Sequence, residues 1–314
     1  MMSPSLKNAF FPPIPDIRLL APLRKNTLQK SAVRNLSAVL GLLIVHAACR
    51  PASQPKHIQH GTVVVIFHSR DRVVLAADSR VTYSGAGQHK DNQCKVSDLG
   101  HETIFAASGF TRYDFPNDRE MPKFDVYREA ERVSRSLQPG TRDHARAMAE
   151  SWGRRVKTAL DIGLARHPKE VMSLLHGQSL QLAGAVFAGR NATGLAVYYV
   201  ALQCECDKGR KYSSLHISRI KAVDDGMPAA TVGTSEAMGL FSEVADGSSP
   251  RGLAERNTWT ATETDPDRDA YVTIRTGEFI LRNSKDHTVA GPINALELTA
   301  EGKVRWVKRE KNCQ

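Results

Sequence analysis

Gly61-Thr62-Val63-Val64-Val65-Ile66-Phe67-His68-Ser69-Arg70-Asp71-Arg72-Val73-Val74-Leu75-Ala76-Ala77-Asp78-Ser79-Arg80 is the stretch whose reading decides the fold. Two short apolar runs rich in β-branched residues flank a polar turn, the pattern of a buried β-hairpin. Thr62 stands at its start, where a rigid sheet would hold it. Cutting the chain before Thr62 frees an α-amine beside the threonine's own hydroxyl. With an unperturbed pKa of about 7.7–8, such an amine is one of the few neutral-pH bases able to activate a hydroxyl. One residue then supplies both nucleophile and base.

Other residues follow in order. Asp78 closes the second run, Lys95 lies in Cys94-Lys95-Val96, and Ala107-Ser108-Gly109 is a turn of small residues. In type, order and spacing this set resembles the catalytic N-terminus of proteasome β-type subunits and of the peptidase of the bacterial two-component ATP-dependent protease, both N-terminal-nucleophile hydrolases. Lys95 falls one residue later than in that family, implying an insertion within 85–91. The resemblance implies that Thr62 attacks, that Lys95 favours the alkoxide through its charge, that Asp78 supplies the counter-charge, and that the Gly109 amide forms the oxyanion hole. These roles suit the residue types. A buried ammonium needs a partner, and a residue without Cβ lets a carbonyl approach the backbone N–H.

Further along, Val232-Gly233-Thr234-Ser235-Glu236-Ala237 resembles the family turn whose hydroxyl, here Thr234, contacts the terminal amine. Asp286 resembles the aspartate that positions it. The hydroxyl expected beside Gly291 is replaced by Val289, so either Thr288 substitutes or that contact is missing. The family-equivalent pocket positions Val81, Gln93, Ser97 and Ala107 imply an uncharged, open pocket for apolar side chains. One departure is the segment 110–117, which separates Gly109 from the next helix and contains Pro116.

The formal charge of +10 is concentrated at one end: eight of the Lys and Arg residues, against Asp16 alone, fall in residues 1–61 and account for +7. The remainder is nearly balanced and carries no nucleic-acid-binding motif, which argues against a nucleic-acid partner. The apolar run 36–48, ending in Ala47-Ala48-Cys49, is too short to span a bilayer and suits the core of a secretory signal. This ending resembles a lipoprotein cleavage box, so export, either as a free protein or through lipidation of Cys49, is expected, with a cytoplasmic propeptide as the alternative. Residues 50–61 read as a linker. Five cysteines, Cys49, Cys94, Cys204, Cys206 and Cys313, show no zinc-binding spacing and leave the redox compartment undecided. No metal or cofactor is expected, and no phosphate loop, His-Glu-x-x-His or Gly-x-Ser-x-Gly motif appears.

The element order is hairpins at 62–80 and 95–108, helices at 123–137 and 141–166 with Thr141 as N-cap, strands at 180–188, 194–203 and 213–222, helices from Ser235 and Asp265, and strands at 293–298 and 304–307. Stretches around 203–212 and 247–265 read as surface loops or partner contacts. This predicts an α+β fold, the four-layer αββα sandwich of the family, with a leader 1–61 and a catalytic domain 62–314. The expected function is a threonine-type peptidase or amidohydrolase, self-processed between Gly61 and Thr62, acting on peptides, with homo-oligomer formation left open. The rivals are a catalytically silent structural relative and an amidase acting on small molecules. Export and a ring fed by an ATP-driven unfoldase are in conflict, so an exported enzyme is expected to work without one.

Overall fold

The computed structural model describes residues 58–83, 89–114, 118, 123–138, 141–172, 180–205, 212–223, 226–259, 267–311 and 313, with 58–60 as backbone only. Leader residues 1–57, including the apolar run 36–48, Cys49 and His57, lie outside them. The fold is α+β, with antiparallel sheets and separate helices.

The hairpin at the start is present as β2 (Val64–His68) and β3 (Arg72–Asp78), paired so that Ile66 faces Leu75 and Val64 faces Ala77. These strands join β13 (Ala230–Val232), β14 (Ile293–Thr299) and β15 (Val304–Lys308) in a five-stranded sheet of order β13-β2-β3-β14-β15. A second five-stranded sheet holds β6 (Val96–Asp98), β7 (Thr103–Gly109), β10 (Gln181–Asn191), β11 (Gly194–Glu205) and β12 (Tyr212–Ile220) in the order β12-β11-β10-β7-β6. Because successive strand side chains point to opposite faces, each sheet can feed two cores. Val64, Ile66, Val73 and Leu75 of the first sheet pack with Ile104, Ala106, Val186 and Val197 of the second. Val63 and Val65, on the other face, pack with helix residues. Strands buried on both faces need unbroken apolar runs, which is why the hairpin reads as a continuous hydrophobic stretch rather than an alternation.

Two helices cover the outer face of the second sheet, α1 (Val126–Ser136) and α2 (His144–Arg166). Ala145, Met148, Trp152, Val156, Ala159 and Gly163 of α2 are buried as their spacing requires. Trp152 and Phe187 meet edge-on at 5.7 Å. The N-cap is Asp143, which accepts from Arg146 N at 3.1 Å; Thr141 instead donates to the Gln138 carbonyl. Helix α1 starts at Val126 because Asp125 caps it, accepting from the amides of Tyr127 and Arg128. A short α3 (Pro168–Met172) follows α2. On the first sheet lie α4 (Ser235–Ala245) and α6 (Arg268–Asn283), whose Gly277 lets the helix come within van der Waals reach of Ile293 and Val65. Part of the stretch 247–265, expected as loop, forms α5 (Pro250–Asn257), with Ser249 as N-cap and Pro250 in the first turn, where a missing N–H costs nothing.

A third sheet was not foreseen. It runs β5-β4-β1-β8-β9, from β5 (His89–Lys90), β4 (Val81–Tyr83), β1 (Ile58–His60), β8 (Arg112–Tyr113) and β9 (Phe124–Asp125). The end of the expected linker is thus the middle strand of a sheet. Its three residues carry no strand signal of their own and are ordered by partners on both edges.

No helix among the described residues is long and apolar enough to cross a membrane. Cys94 and Cys313 form a disulfide with Cα atoms 5.0 Å apart, joining residues 219 positions apart in sequence. Closing so long a loop restricts the unfolded chain, so Cys313→Ser is expected to lower the unfolding free energy by about 2–5 kcal/mol. Urea denaturation of the wild type and the variant checks this; unchanged midpoints would count against it.

Candidate active site

Strand β3 delivers Asp78 at its end, beside the start of the chain segment that carries Thr62. The Asp78 amide donates to the Val63 carbonyl at 3.3 Å, and Val63 N donates back to Asp78 Oδ1 at 2.8 Å. The carboxylate also accepts from Arg80 N at 3.2 Å and Ala290 N at 3.3 Å. From the edge of the other large sheet, just before β6, Lys95 reaches across. Its Nζ is 3.3 Å from both Asp78 oxygens and 2.8 Å from the Gly61 carbonyl oxygen, and it also donates to the Arg80 carbonyl. Both side chains of this pair are fully buried. Burial pushes the Asp78 carboxyl up and the Lys95 ammonium down from their ordinary values, while each partner's opposite charge acts against the shift.

Thr62 is 1% exposed, and its hydroxyl donates to the Gly61 carbonyl oxygen. Two donors, the Thr62 hydroxyl and the Lys95 ammonium, therefore converge on the carbonyl of the Gly61–Thr62 bond. Such an arrangement can polarise that carbonyl beside a hydroxyl positioned near it. Gly61 has φ +93°, and a Cβ there would stand 2.4 Å from the Thr288 carbonyl oxygen, so the bend requires glycine.

The other expected residues divide. The turn at Gly233 packs on Thr62, since a Cβ on Gly233 would come 2.8 Å from the Thr62 carbonyl oxygen. The Thr234 hydroxyl, however, caps α4, accepting from Ala237 N at 3.2 Å. Asp286 accepts from the Thr288 hydroxyl at 2.6 Å and the Thr288 amide at 2.8 Å, rather than from Thr234. Thr288 places its backbone carbonyl against Gly61, while its hydroxyl is engaged by Asp286. Gly109 ends β7 opposite Ala183 with φ +71°. Among the described residues it is not a donor to the Gly61 carbonyl, and β8 and β9 stand between it and α1, so no helix start lies at this glycine.

Of the four pocket positions, Gln93 and Ser97 line a common cavity of about 540 Å³, whereas Val81 and Ala107 are buried and absent from its lining. The expectation of an uncharged pocket does not hold for this cavity. Asp98, at the end of β6, lines it, and so do Asp125, Arg128 and Glu131, because α1 starts later than expected and presents its polar first turns there. The Tyr127 hydroxyl donates to the Ala107 carbonyl at 3.4 Å.

Several supporting residues escaped the sequence reading. Arg80 holds Asp91 bidentately at 2.6 and 2.7 Å, which holds the Asp91 carboxyl below its ordinary value, and the Arg80 carbonyl accepts from Lys95. Ser79 donates to the Asp91 carbonyl at 2.8 Å. Glu236, in the first turn of α4, accepts from the Lys285 and Asp286 amides and the Ser284 hydroxyl, organising the loop that carries Thr288; the Lys285 amide leads the causes that lower its carboxyl. Cys94, next to Lys95, is anchored by its disulfide to Cys313. Ser79 and Arg80 carry a local signal, since they follow Asp78 in the run that the resemblance covers. Among the described residues, no group of three or more His, Cys, Asp or Glu side chains could hold a metal ion.

No protein-family model matches the chain, and no curated protein matches it.

Replacing Asp78 by Asn leaves the Lys95 ammonium buried without its counter-charge. The variant is expected to lose about 3–5 kcal/mol of stability. Chemical denaturation with matched slopes measures it, and a loss below about 1 kcal/mol would contradict the electrostatic account of this pair.

Proposed function

We propose that this protein is a threonine-type N-terminal-nucleophile hydrolase of peptide bonds, activated by its own cleavage between Gly61 and Thr62. The observation that carries this is the convergence of the Thr62 hydroxyl and the Lys95 ammonium on the Gly61 carbonyl, with Asp78 behind the ammonium. Attack of the Thr62 hydroxyl oxygen on the Gly61 carbonyl carbon forms an ester and releases the Thr62 amine. Water then hydrolyses the ester, leaving Gly61 as a carboxylate and Thr62 as a free N-terminus. In later cycles the amine takes the hydroxyl proton and Lys95 stabilises negative charge on oxygen.

The fold assigned by this reading is the four-layer αββα sandwich. It is supported by the core shared between the two large sheets and by the helices packed on their other faces. A peptide substrate is supported by β1, which pairs with β4 on one edge and β8 on the other. Loss of this segment after cleavage leaves two strand edges for an extended peptide, which can then gain main-chain hydrogen bonds on both sides. The intact Thr62, Asp78 and Lys95 set argues against a silent relative. Export is supported by the Cys94–Cys313 disulfide, since such bonds persist in oxidising compartments.

Thr62→Ala and Lys95→Ala are expected to abolish peptide turnover, whereas Thr62→Ser retains it in part. For the wild type the pH profile follows from two requirements. The terminal amine acts unprotonated, so the rate rises through its ionisation, near about 7.7–8. Lys95 acts charged, so the rate falls as pH passes its pKa, which burial lowers from the ordinary 10.5. The expected kcat/KM profile is a bell whose alkaline limb lies below pH 10.5; turnover by Thr62→Ala would overturn the reading.

A further inference from the structure

A charged cavity lies against the third sheet and shares Asp125 and Arg128 with the cavity lined by Gln93 and Ser97. It holds about 420 Å³ between β8, β9, α1 and α2. Its charged lining is five cations, Arg112, Lys123, Arg128, Arg132 and Arg155, against two carboxylates, Asp125 and Glu129. Most of these charges are engaged. Glu129 is held by Arg132 at 2.6 Å and by Arg155 at 3.0 Å, and Lys123 pairs with Asp114 at 2.8 Å. Asp125 uses one oxygen to cap α1. Arg112 and Arg128 have no carboxylate partner within ion-pair distance among the described residues, and both are exposed.

The register of β1 connects this cavity to the scissile bond. Counting back from it, Gly61, His60 and Gln59 are the first, second and third residues, and Gln59 stands opposite Arg112 in β8 and opposite Tyr83 in β4. Directly opposed residues of an antiparallel pair share a face with Cβ atoms about 4.5–5.5 Å apart. A substrate strand in the same register therefore brings its third upstream side chain beside the Arg112 guanidinium, with Arg128 further along the same cavity. We propose that the enzyme selects peptides with an acidic residue at the third position upstream of the cleaved bond, recognised by Arg112 and Arg128. The proposal rests on the hydrolase reading above.

An apolar side chain at this position would desolvate two unpaired guanidinium groups without replacing their hydrogen bonds to water. A carboxylate satisfies both, and Arg binds it through paired N–H donors. Asp125, opposite Arg112 on the other edge of β8, is the one lining carboxylate that opposes this preference, and its oxygen spent on the α1 cap weakens the opposition. The chain's own leader carries Gln59 there, the uncharged isostere of glutamate. After cleavage the leader thus competes less strongly for the cleft than an acidic substrate.

The test uses processed enzyme and fluorogenic peptides identical except for Glu, Gln or Lys at the third upstream position. The expected kcat/KM favours Glu over Lys by about tenfold at low ionic strength, the size of a partly screened charge pair acting against charge repulsion. At roughly 0.5 M salt the ratio shrinks severalfold. Arg112→Glu reverses the order and favours Lys, with Arg128→Glu as the second variant should the first fail to fold. Equal kcat/KM for the three peptides with the wild type, or a Glu preference that survives charge reversal, overturns the selectivity alone. No turnover of any peptide overturns the hydrolase reading and the selectivity with it.

Discussion

The buried ammonium of Lys95 is the constraint around which the rest of the structure is arranged. Taking a charge out of water costs several kcal/mol even after relaxation, and it is tolerated only with good geometry and complete hydrogen bonding. Here the three protons of the ammonium find the Asp78 carboxylate, the Gly61 carbonyl and the Arg80 carbonyl. Those partners come from β3, from the segment before β2, and from the turn after β3, while Lys95 itself comes from the edge of the other large sheet. One side chain thus ties the two sheets together at the point where the chain presents the Gly61–Thr62 bond. Its neighbours reinforce it: Arg80, whose carbonyl accepts from Lys95, is held by Asp91, and the adjacent Cys94 is tied to Cys313 by a disulfide.

The second constraint is the strand upstream of Thr62. Being paired on both edges, β1 is held between β4 and β8, and the positive φ of Gly61 bends the chain where Lys95 and the Thr62 hydroxyl meet the carbonyl. On the proposed reading, the uncut chain is its own first substrate, and the sheet that holds the leader is the one that later holds peptides. The same sheet links the Gly61–Thr62 bond to Arg112 of the neighbouring cavity, which has no carboxylate partner among the described residues.

What could be read in the sequence was what local chemistry determines. The apolar runs of β2 and β3 announce strands buried on both faces, and the spacing on α2 announces its buried face. The pairing of Asp78 with Lys95 was legible through the family resemblance, which implies a buried lysine and its counter-charge at these positions. The remainder depends on contacts made across long sequence separations. Ile58-Gln59-His60 becomes a strand only because β4 and β8 flank it, and nothing in Cys94 or Cys313 indicates that they meet. The late start of α1 is set by Asp125 as cap, which also turns charged residues into the cavity expected to be neutral. The role of Asp286 differs for the same reason: Thr288, two residues on, reaches it locally, while the hydroxyl of Thr234 is already occupied in capping α4.

The most direct test of the central claim is the mass and N-terminal sequence of the full-length chain after purification, for the wild type and for Lys95→Ala. The account predicts a wild-type chain that begins at Thr62, freed of residues 1–61, and an uncut chain for the variant. A wild-type protein that is active with Gly61–Thr62 intact, or a Lys95→Ala variant processed at the same bond and the same rate, would contradict it.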